Sequence, residues 1–132
     1  MIVSMPLLLD TNVLIYNLQG ALSADVKASV RQAMDAKQAF ISVITRIEVL
    51  GWKGYNDTTL QQMGQLLSKL AEIPLTEAVV QDTIRIRKQF GLKLPDAVIA
   101  ASATVQRIAL LAGNVDDFKR VADLQVRSIW PA

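Results

Sequence analysis

Short apolar runs alternate with helical patterns along the whole of this chain. Because strands separated by helices form βαβ units, the pattern predicts an α/β fold with a mainly parallel sheet covered by helices on both faces. Pro74 lacks the backbone N–H that an inner strand needs, so the third strand is expected at a sheet edge. The segments predicted to be strands are Ile2–Leu9, Ala39–Ser42, Glu72–Leu75, Ile108–Ala112 and Gln125–Ile129.

Helix signals lie between these strands. Ser23 is a typical N-cap, Thr58-x-x-Gln61 has the pattern of a capping box, and Pro95 suits a first helical position. The predicted helices are Thr11–Leu18, Ser23–Ala36, a segment through Glu48 that ends at Gly51, a segment opened by Thr58, Thr76–Phe90 ending at Gly91, and a segment begun by Pro95. With 132 residues and no internal repeat or linker, we expect one domain over residues 1–132.

The composition excludes several kinds of site. The chain has no Cys and no His, so disulfides, cysteine-based zinc or redox sites and histidine catalysis are excluded. Any metal site must be rich in oxygen ligands, which points to Mg²⁺ or Mn²⁺. The apolar Met1–Leu9 has no basic n-region, and Ala97–Ala112 contains Gln106 and Arg107. We therefore expect a soluble, cytoplasmic protein with no membrane segment.

Acidic residues fall at the carboxyl ends of the predicted strands, where parallel sheets bind their ligands. Asp10 follows the first strand, Glu48 lies in the helix after the second, and Asp116 and Asp117 follow the fourth, while Asp96 begins the helix before it. Carboxylates that share a pocket raise one another's pKa and need compensation. A divalent cation would supply it, bridge a substrate phosphate and activate a water molecule.

Each acid also has a structural explanation. Asp10 suits the N-cap of the helix that follows it, and the two neighbouring acids after the fourth strand suit a turn. Glu48 completes the capping-box pattern Thr45-x-x-Glu48, although Ser42 is an equally good cap one turn earlier. Asp96 favours function, because the apolar residues after it predict a helix buried on nearly every side, where an unpaired carboxylate is unfavourable.

Basic residues stand near the acids in sequence, although the net charge is only +2. They are either solvated helix faces or a rim that guides the phosphates of a substrate. Aromatic residues make up 5% of the chain, so no platform for base stacking is evident. The candidates for substrate binding are Arg46, Arg85, Lys88 and Lys93.

Four segments, taken together and in order, resemble the PIN-domain family and within it the VapC toxins of toxin–antitoxin pairs. These segments are Leu7–Tyr16, which contains Asp10-Thr11-Asn12, then Ile41–Leu50, Leu94–Ala103 and Leu110–Phe118. The resemblance covers nearly the whole chain. It implies a Rossmann-like PIN domain, with a parallel central sheet of four to five strands flanked by helices, and endoribonuclease activity with Mg²⁺ or Mn²⁺.

The resemblance also implies roles for single residues. The catalytic and metal-binding acids would be Asp10, Glu48, Asp96 and Asp117, with Asp116 as the rival for the fourth position. Thr11 and Asn114 match polar positions that support such a site, and Ala112-Gly113 replaces the common form that contains Thr. The implied partners are an RNA substrate, a second copy of the chain in a homodimer, and a cognate antitoxin whose tail can occupy the acidic pocket.

The leading hypothesis is therefore a toxin ribonuclease. A housekeeping RNA-processing PIN nuclease is one alternative, and a catalytically silent PIN-like binding module is another, against which the intact acids argue. A nucleotide-binding Rossmann protein ranks lower, because no G-x-G-x-x-G follows the first strand. The amphipathic helix opened by Thr58, with Trp52 before it, either packs on the core or forms a partner surface.

Overall fold

Five parallel strands form the central sheet of this computed structural model, which describes residues 5–131. The strands are β1 Leu7–Leu9, β2 Ala39–Ser42, β3 Ala71–Ile73, β4 Ala109–Ala112 and β5 Val126–Ser128. Their order is β3-β2-β1-β4-β5, and every neighbouring pair is parallel. The predicted parallel α/β fold is confirmed.

Helices connect the strands and cover both faces of the sheet. They are α1 Thr11–Leu18, α2 Ala24–Asp35, α3 Val43–Leu50, α4 Asp57–Leu67, α5 Glu77–Phe90 and α6 Leu94–Gln106, and a 3-10 turn covers Val115–Asp117. Within residues 5–131, none of these helices combines the length and apolar character that crossing a membrane requires.

The sheet separates two apolar cores. Leu7 and Leu9 of β1 pack in the core that includes residues of α1, α2 and α4, whereas Leu8 packs in the core that includes α5 and α6. Successive side chains of a strand point to opposite faces, so a strand buried on both faces is apolar at every position. This is why the run before Asp10 is continuous rather than alternating.

Helix α6 is the most deeply buried helix, as its composition predicts. Residues 97–103 are all buried, and their small side chains allow α6 to pack closely against α5 and the sheet. Helix α5 ends at Gly91, which has the left-handed φ of +69° that glycine adopts without strain. The short link to Leu94 then directs the start of α6, and with it Asp96, toward the carboxyl edge of the sheet.

The structure corrects the predicted bounds of the strands. The first strand begins at Leu7 rather than Ile2; residues 2–4 lie outside the described part, and Pro6 has no N–H with which to extend the ladder. The third strand covers Ala71–Ile73 and ends before Pro74, at the predicted sheet edge. Strand β4 starts one residue later than predicted, and β5 is one residue shorter at each end.

The structure also corrects one helix start. The capping box at Thr58 is wrong, because Asn56 caps α4 by accepting a hydrogen bond from the Thr59 N–H over 2.8 Å. Asparagine is at least as good a cap as threonine, so the helix begins earlier, at Asp57. Ser23 caps α2 as predicted. Helix α6 begins at Leu94, which places Pro95 in its first turn.

Candidate active site

Asp10 lies directly after β1 and is only 5% exposed. Its backbone N–H donates to the Leu111 carbonyl over 3.0 Å, which fixes it at the carboxyl edge of the sheet. Asp10 occupies the N-cap position of α1, but its side chain accepts no capping hydrogen bond. The N–H groups of Thr11 and Asn12 lie near enough to favour the charged carboxylate, although neither makes a capping hydrogen bond of full geometry.

The pKa of Asp10 is raised to about 6. Burial is the main cause, and the negative charges of Asp96 and Glu48 raise the pKa further. The backbone N–H groups of Thr11 and Asn12 favour the charged form and lower the pKa, but they offset only part of this effect. The site thus holds a buried carboxylate whose charge the protein leaves largely uncompensated.

Glu48 lies opposite the start of α1. The Thr11 hydroxyl donates to Glu48 Oε1 over 2.7 Å and lies 3.1 Å from the Thr45 hydroxyl oxygen. Ser42 caps α3 by accepting a hydrogen bond from the Ile44 N–H, so Glu48 does not belong to a capping box at Thr45. The hydroxyls instead link α1 to α3 and orient the Glu48 carboxylate at the carboxyl edge of the sheet.

Asp96 completes the cluster from the first turn of α6. Its pKa is raised by partial burial first, then by the charges of Asp117 and Glu48, while Lys93 lowers it. The charge of Glu48 raises the pKa of both Asp10 and Asp96, and the charge of Asp117 also raises the pKa of Asp96. The four carboxylates therefore share one electrostatic environment. The fold therefore brings together acids that are far apart in sequence.

The structure distinguishes between the two rival acids after β4. Asp117 accepts a hydrogen bond from the Asn114 side-chain amide over 3.0 Å, and its charge is close enough to raise the pKa of Asp96. Asp116 points elsewhere, since its carboxylate pairs with Lys119 over 2.9 Å and its side chain is 78% exposed. The geometry thus favours Asp117 as the fourth acid of the cluster.

Two of the predicted basic residues are engaged away from the cluster. Arg46 pairs with Glu72 through two hydrogen bonds at the edge strand β3. Arg85 pairs with Asp82 and Asp123. Asp82 also accepts a hydrogen bond from Thr104, which lies eight residues beyond Asp96, or roughly 12 Å farther along α6. The structure therefore does not bring Arg85 to the acids.

Two other basic residues lie at the same end of the fold as Asp96. Lys93 directly precedes α6 and stands close enough to lower the Asp96 pKa. Lys88 is exposed in the last turn of α5, a few residues before the link that leads into α6. The basic groups near the cluster are thus lysines at one rim rather than the full predicted set.

A cavity of about 470 Å³ opens beside Glu48 and Thr11. Trp52 and Tyr55 line it as an edge-to-face pair with ring centroids 4.7 Å apart, and 59% of Trp52 is exposed. Helix α4 supplies Met63 to its wall and otherwise packs on the core. Trp52 was a candidate for a partner surface from the sequence, whereas Tyr55 was missed, although Trp52-x-x-Tyr55 follows Glu48 within a few residues.

A protein-family model identifies the family to which this fold belongs. The PIN domain model matches residues 7–124. The chain belongs to the PIN-domain family. The family predicted from the four segments is confirmed, and the acids described above lie at the carboxyl edge of the PIN-domain sheet.

Solved structures agree with this assignment. A toxin–antitoxin complex from Klebsiella pneumoniae contains a chain 31% identical to this PIN domain, with a TM-score of 0.73 over 95% of this chain and 98% of that one. DNA-bound VapBC from Salmonella typhimurium has a TM-score of 0.84 at 18% identity, covering 96% and 99%. VapBC2 from Rickettsia felis, bound to a promoter DNA fragment, has a TM-score of 0.82 at 18% identity, covering 96% and 100%. No curated protein matches the chain significantly.

The donor set of this PIN domain fits a hard divalent cation. Four carboxylates supply only oxygen ligands, the type that Mg²⁺ and Mn²⁺ prefer. In residues 5–131, no three acids are already drawn together as a preformed cation cage. A bound cation would reduce both the mutual repulsion of the acids and the burial penalty at Asp10.

Proposed function

We propose that this PIN domain is a Mg²⁺- or Mn²⁺-dependent endoribonuclease that acts in the cytoplasm as the VapC-like toxin of a toxin–antitoxin pair. The observation that carries the proposal is the convergence of Asp10, Glu48, Asp96 and Asp117 around a buried carboxylate whose pKa is raised to about 6. If these carboxylates had only a structural role, their mutual repulsion and the burial of Asp10 would destabilise the fold, and nothing would offset this effect.

A bound divalent cation would supply Lewis-acid chemistry: it neutralises the phosphate charge and activates water. Asp10, Asp96 and Asp117 are the side chains that we assign to hold it. Asp10 directly follows β1, Asp96 lies in the first turn of the buried α6, and Asp117 lies in the turn after β4. Asn114 orients the Asp117 carboxylate. The cation is thus expected to bind where three rigid segments of the fold meet.

Glu48 is the residue that we assign to accept a proton. It is exposed, and the Thr11 hydroxyl holds its Oε1 in place, so its other oxygen, Oε2, can take the proton of an attacking water. A carboxylate fixed by one hydrogen bond and open to solvent meets the geometric requirement for a general base. In hydrolysis of an RNA phosphodiester, the water oxygen would bond to phosphorus while the bond from phosphorus to the leaving ribose oxygen breaks. Glu48 would hold the proton taken from water, and the leaving oxygen would take up a proton from solvent.

The antitoxin is the proposed protein partner. The similar chain at 31% identity comes from a toxin–antitoxin complex, and the cavity beside Glu48 offers an apolar wall with Trp52 and Tyr55 next to the acids. An antitoxin tail with apolar side chains and a basic group would match both parts of this surface. Exposed apolar residues on α3, Ile47 and Leu50, are available for the proposed homodimer.

The test is cleavage of a labelled structured RNA by the purified protein with Mg²⁺ or Mn²⁺, with EDTA, and with metal restored after EDTA. We expect cleavage that EDTA abolishes and added metal restores, together with Mn²⁺ binding by calorimetry. Absence of both cleavage and Mn²⁺ binding would instead support the silent binding module. Mg²⁺-dependent cleavage without a short upstream gene for a small DNA-binding protein would favour the housekeeping nuclease.

Lys93→Ala and Arg85→Ala are expected to differ in their effect on RNA binding. If Lys93 contacts a phosphate, its loss weakens binding to all RNA sequences. It also lowers the slope of a plot of log affinity against log salt concentration by about one unit. Arg85 is committed to Asp82 and Asp123, so Arg85→Ala should leave the slope unchanged. The measurement is the affinity for RNA across a series of KCl concentrations, and an equal loss of slope in both variants would refute the assignment of the rim.

A further inference from the structure

Trp130 contacts the base of the loop that carries Asp117. Its indole Nε1–H donates to the Gly113 carbonyl over 2.7 Å. Gly113 is the first residue after β4 and directly precedes Asn114, whose amide donates to the Asp117 carboxylate. One hydrogen bond from Trp130 therefore holds the backbone from which the Asn114–Asp117 pair extends.

Tyr16 of α1 packs against the same place. Its ring meets the Trp130 ring edge to face, with centroids 5.3 Å apart and planes at 69°. A Cβ atom placed on Gly113 would lie only 2.9 Å from Tyr16 Cε2, closer than real Cβ contacts allow. The loop thus lies directly on the Tyr16 ring, and the absence of a side chain at Gly113 makes this close approach possible.

The sheet in turn fixes Trp130. The Ile129 N–H donates to the Ala112 carbonyl over 3.1 Å, and the Trp130 N–H donates to the Ser128 hydroxyl oxygen over 3.0 Å. Trp130 is 46% exposed, so apolar burial by itself does not explain why the indole is anchored at this position. Its directed contacts are with the Asp117 loop and with α1.

From this geometry we propose that Trp130 and Tyr16 form an aromatic clamp that positions Asp117 for the metal. Tyr16 belongs to the helix that begins right after Asp10, and Trp130 follows the strand next to β4. The clamp therefore couples the segment that carries Asp10 to the loop that carries Asp117. Trp130 is a positioning residue, because it acts through Gly113 and Asn114. The proposal rests on the proposed metal-dependent function.

The test is Mn²⁺ binding by isothermal titration calorimetry to the full chain and its Trp130→Phe variant. Phenylalanine keeps an aromatic ring beside Tyr16 but removes the N–H that Gly113 accepts. Loss of the hydrogen bond that holds Gly113, and through it the Asn114–Asp117 pair, is expected to weaken Mn²⁺ binding about 10-fold, while the thermal unfolding temperature of the metal-free protein changes little. Asp35→Asn, a change at an exposed position at the end of α2, is the control and should bind Mn²⁺ like the wild type.

Two further variants keep the proposal falsifiable. Gly113→Ala retains the indole but forces the loop and the Tyr16 ring apart, and it should weaken Mn²⁺ binding even if Trp130→Phe does not fold. In an Asp117→Asn background, Trp130→Phe should cause no further loss, because its effect passes through Asp117.

Wild-type affinity in both Trp130→Phe and Gly113→Ala would overturn the clamp while leaving the proposed function intact. An equal loss from Trp130→Phe with and without Asp117 would overturn the route through that residue. A wild-type protein that binds no Mn²⁺ would overturn the proposed metal site and the clamp with it.

Discussion

Asp117→Asn is expected to lower the rate of RNA cleavage by about 100-fold or more, the range seen when one preorganised electrostatic group is removed from an active site. The substitution removes a charge that lies close enough to raise the Asp96 pKa. It keeps the shape of the side chain and its capacity to hydrogen bond with Asn114. The rate should be measured with saturating Mg²⁺ or Mn²⁺, with calorimetric Mn²⁺ affinity as a second readout.

Asp116→Asn is the matched control, because it makes the same chemical change at the adjacent position. Asp116 is exposed and pairs with Lys119, and an exposed pair of this kind contributes little to stability. We therefore expect cleavage close to that of the wild type. The reverse result, a large loss in Asp116→Asn and a small one in Asp117→Asn, would exchange the roles of the two acids.

The sheet and the positions of the acids were predictable because each depends on a local pattern. A continuous apolar run that ends in Asp10 describes a strand buried on both faces followed by its carboxyl edge. Likewise, Pro95-Asp96 followed by small apolar residues describes the first turn of a buried helix. Parallel topology then brings these ends to one edge of the sheet, whatever the side chains elsewhere in the chain.

The partners of charged residues were not predictable in this way. Arg85 and Arg46 have the same local appearance as Lys93, but Arg85 meets Asp123, 38 residues away, and Arg46 meets Glu72. Such pairs depend on helix rotation and on tertiary packing, which short-range sequence patterns do not encode. The contact of Trp130 with Gly113 is of the same kind, since it joins residues 17 apart that follow two different strands, β5 and β4.

The sequence also could not show which of two similar neighbouring residues caps a helix or joins the acidic cluster. Asn56 and Thr58 are both good caps by residue type, and in the structure Asn56 caps a helix that begins at Asp57. Asp116 and Asp117 are both turn acids, but in the structure Asp117 lies near Asp96 while Asp116 pairs with Lys119. In both cases the backbone path, rather than residue type, selects the functional side chain.

Asp10→Asn is expected to stabilise the metal-free protein at neutral pH by up to about 3 kcal/mol. The folded state raises the Asp10 pKa from 3.8 to about 6. Below pH 3.8 the carboxyl is protonated in both folded and unfolded chains, and its burial is not penalised. As the pH rises from 3.8 through about 6, the unfolded chain loses this proton first, so the folded state is progressively destabilised relative to it. Asparagine removes that ionisation.

Thermal unfolding of the metal-free proteins in EDTA is the measurement for this prediction. A gain of that size corresponds to an increase in Tm of roughly 10 °C for a chain of this length. The gain should be present at pH 7 and vanish below about pH 3, whereas Asp35→Asn, the same change at an exposed helix position, should change stability by less than about 0.5 kcal/mol at either pH. A destabilised Asp10→Asn protein at pH 7 would show that burial does not strain this carboxylate.

Adding Mn²⁺ should then make the wild type more stable than Asp10→Asn, the reverse of their order without metal. A ligand that binds only the folded state stabilises it in proportion to the logarithm of its concentration over Kd. The wild type, with four carboxylates, should gain more from Mn²⁺ than Asp10→Asn, which has lost the most buried one. The same residue would then weaken the fold without metal and strengthen it with metal, which is the relation expected when a carboxylate is retained for cation binding rather than for stability.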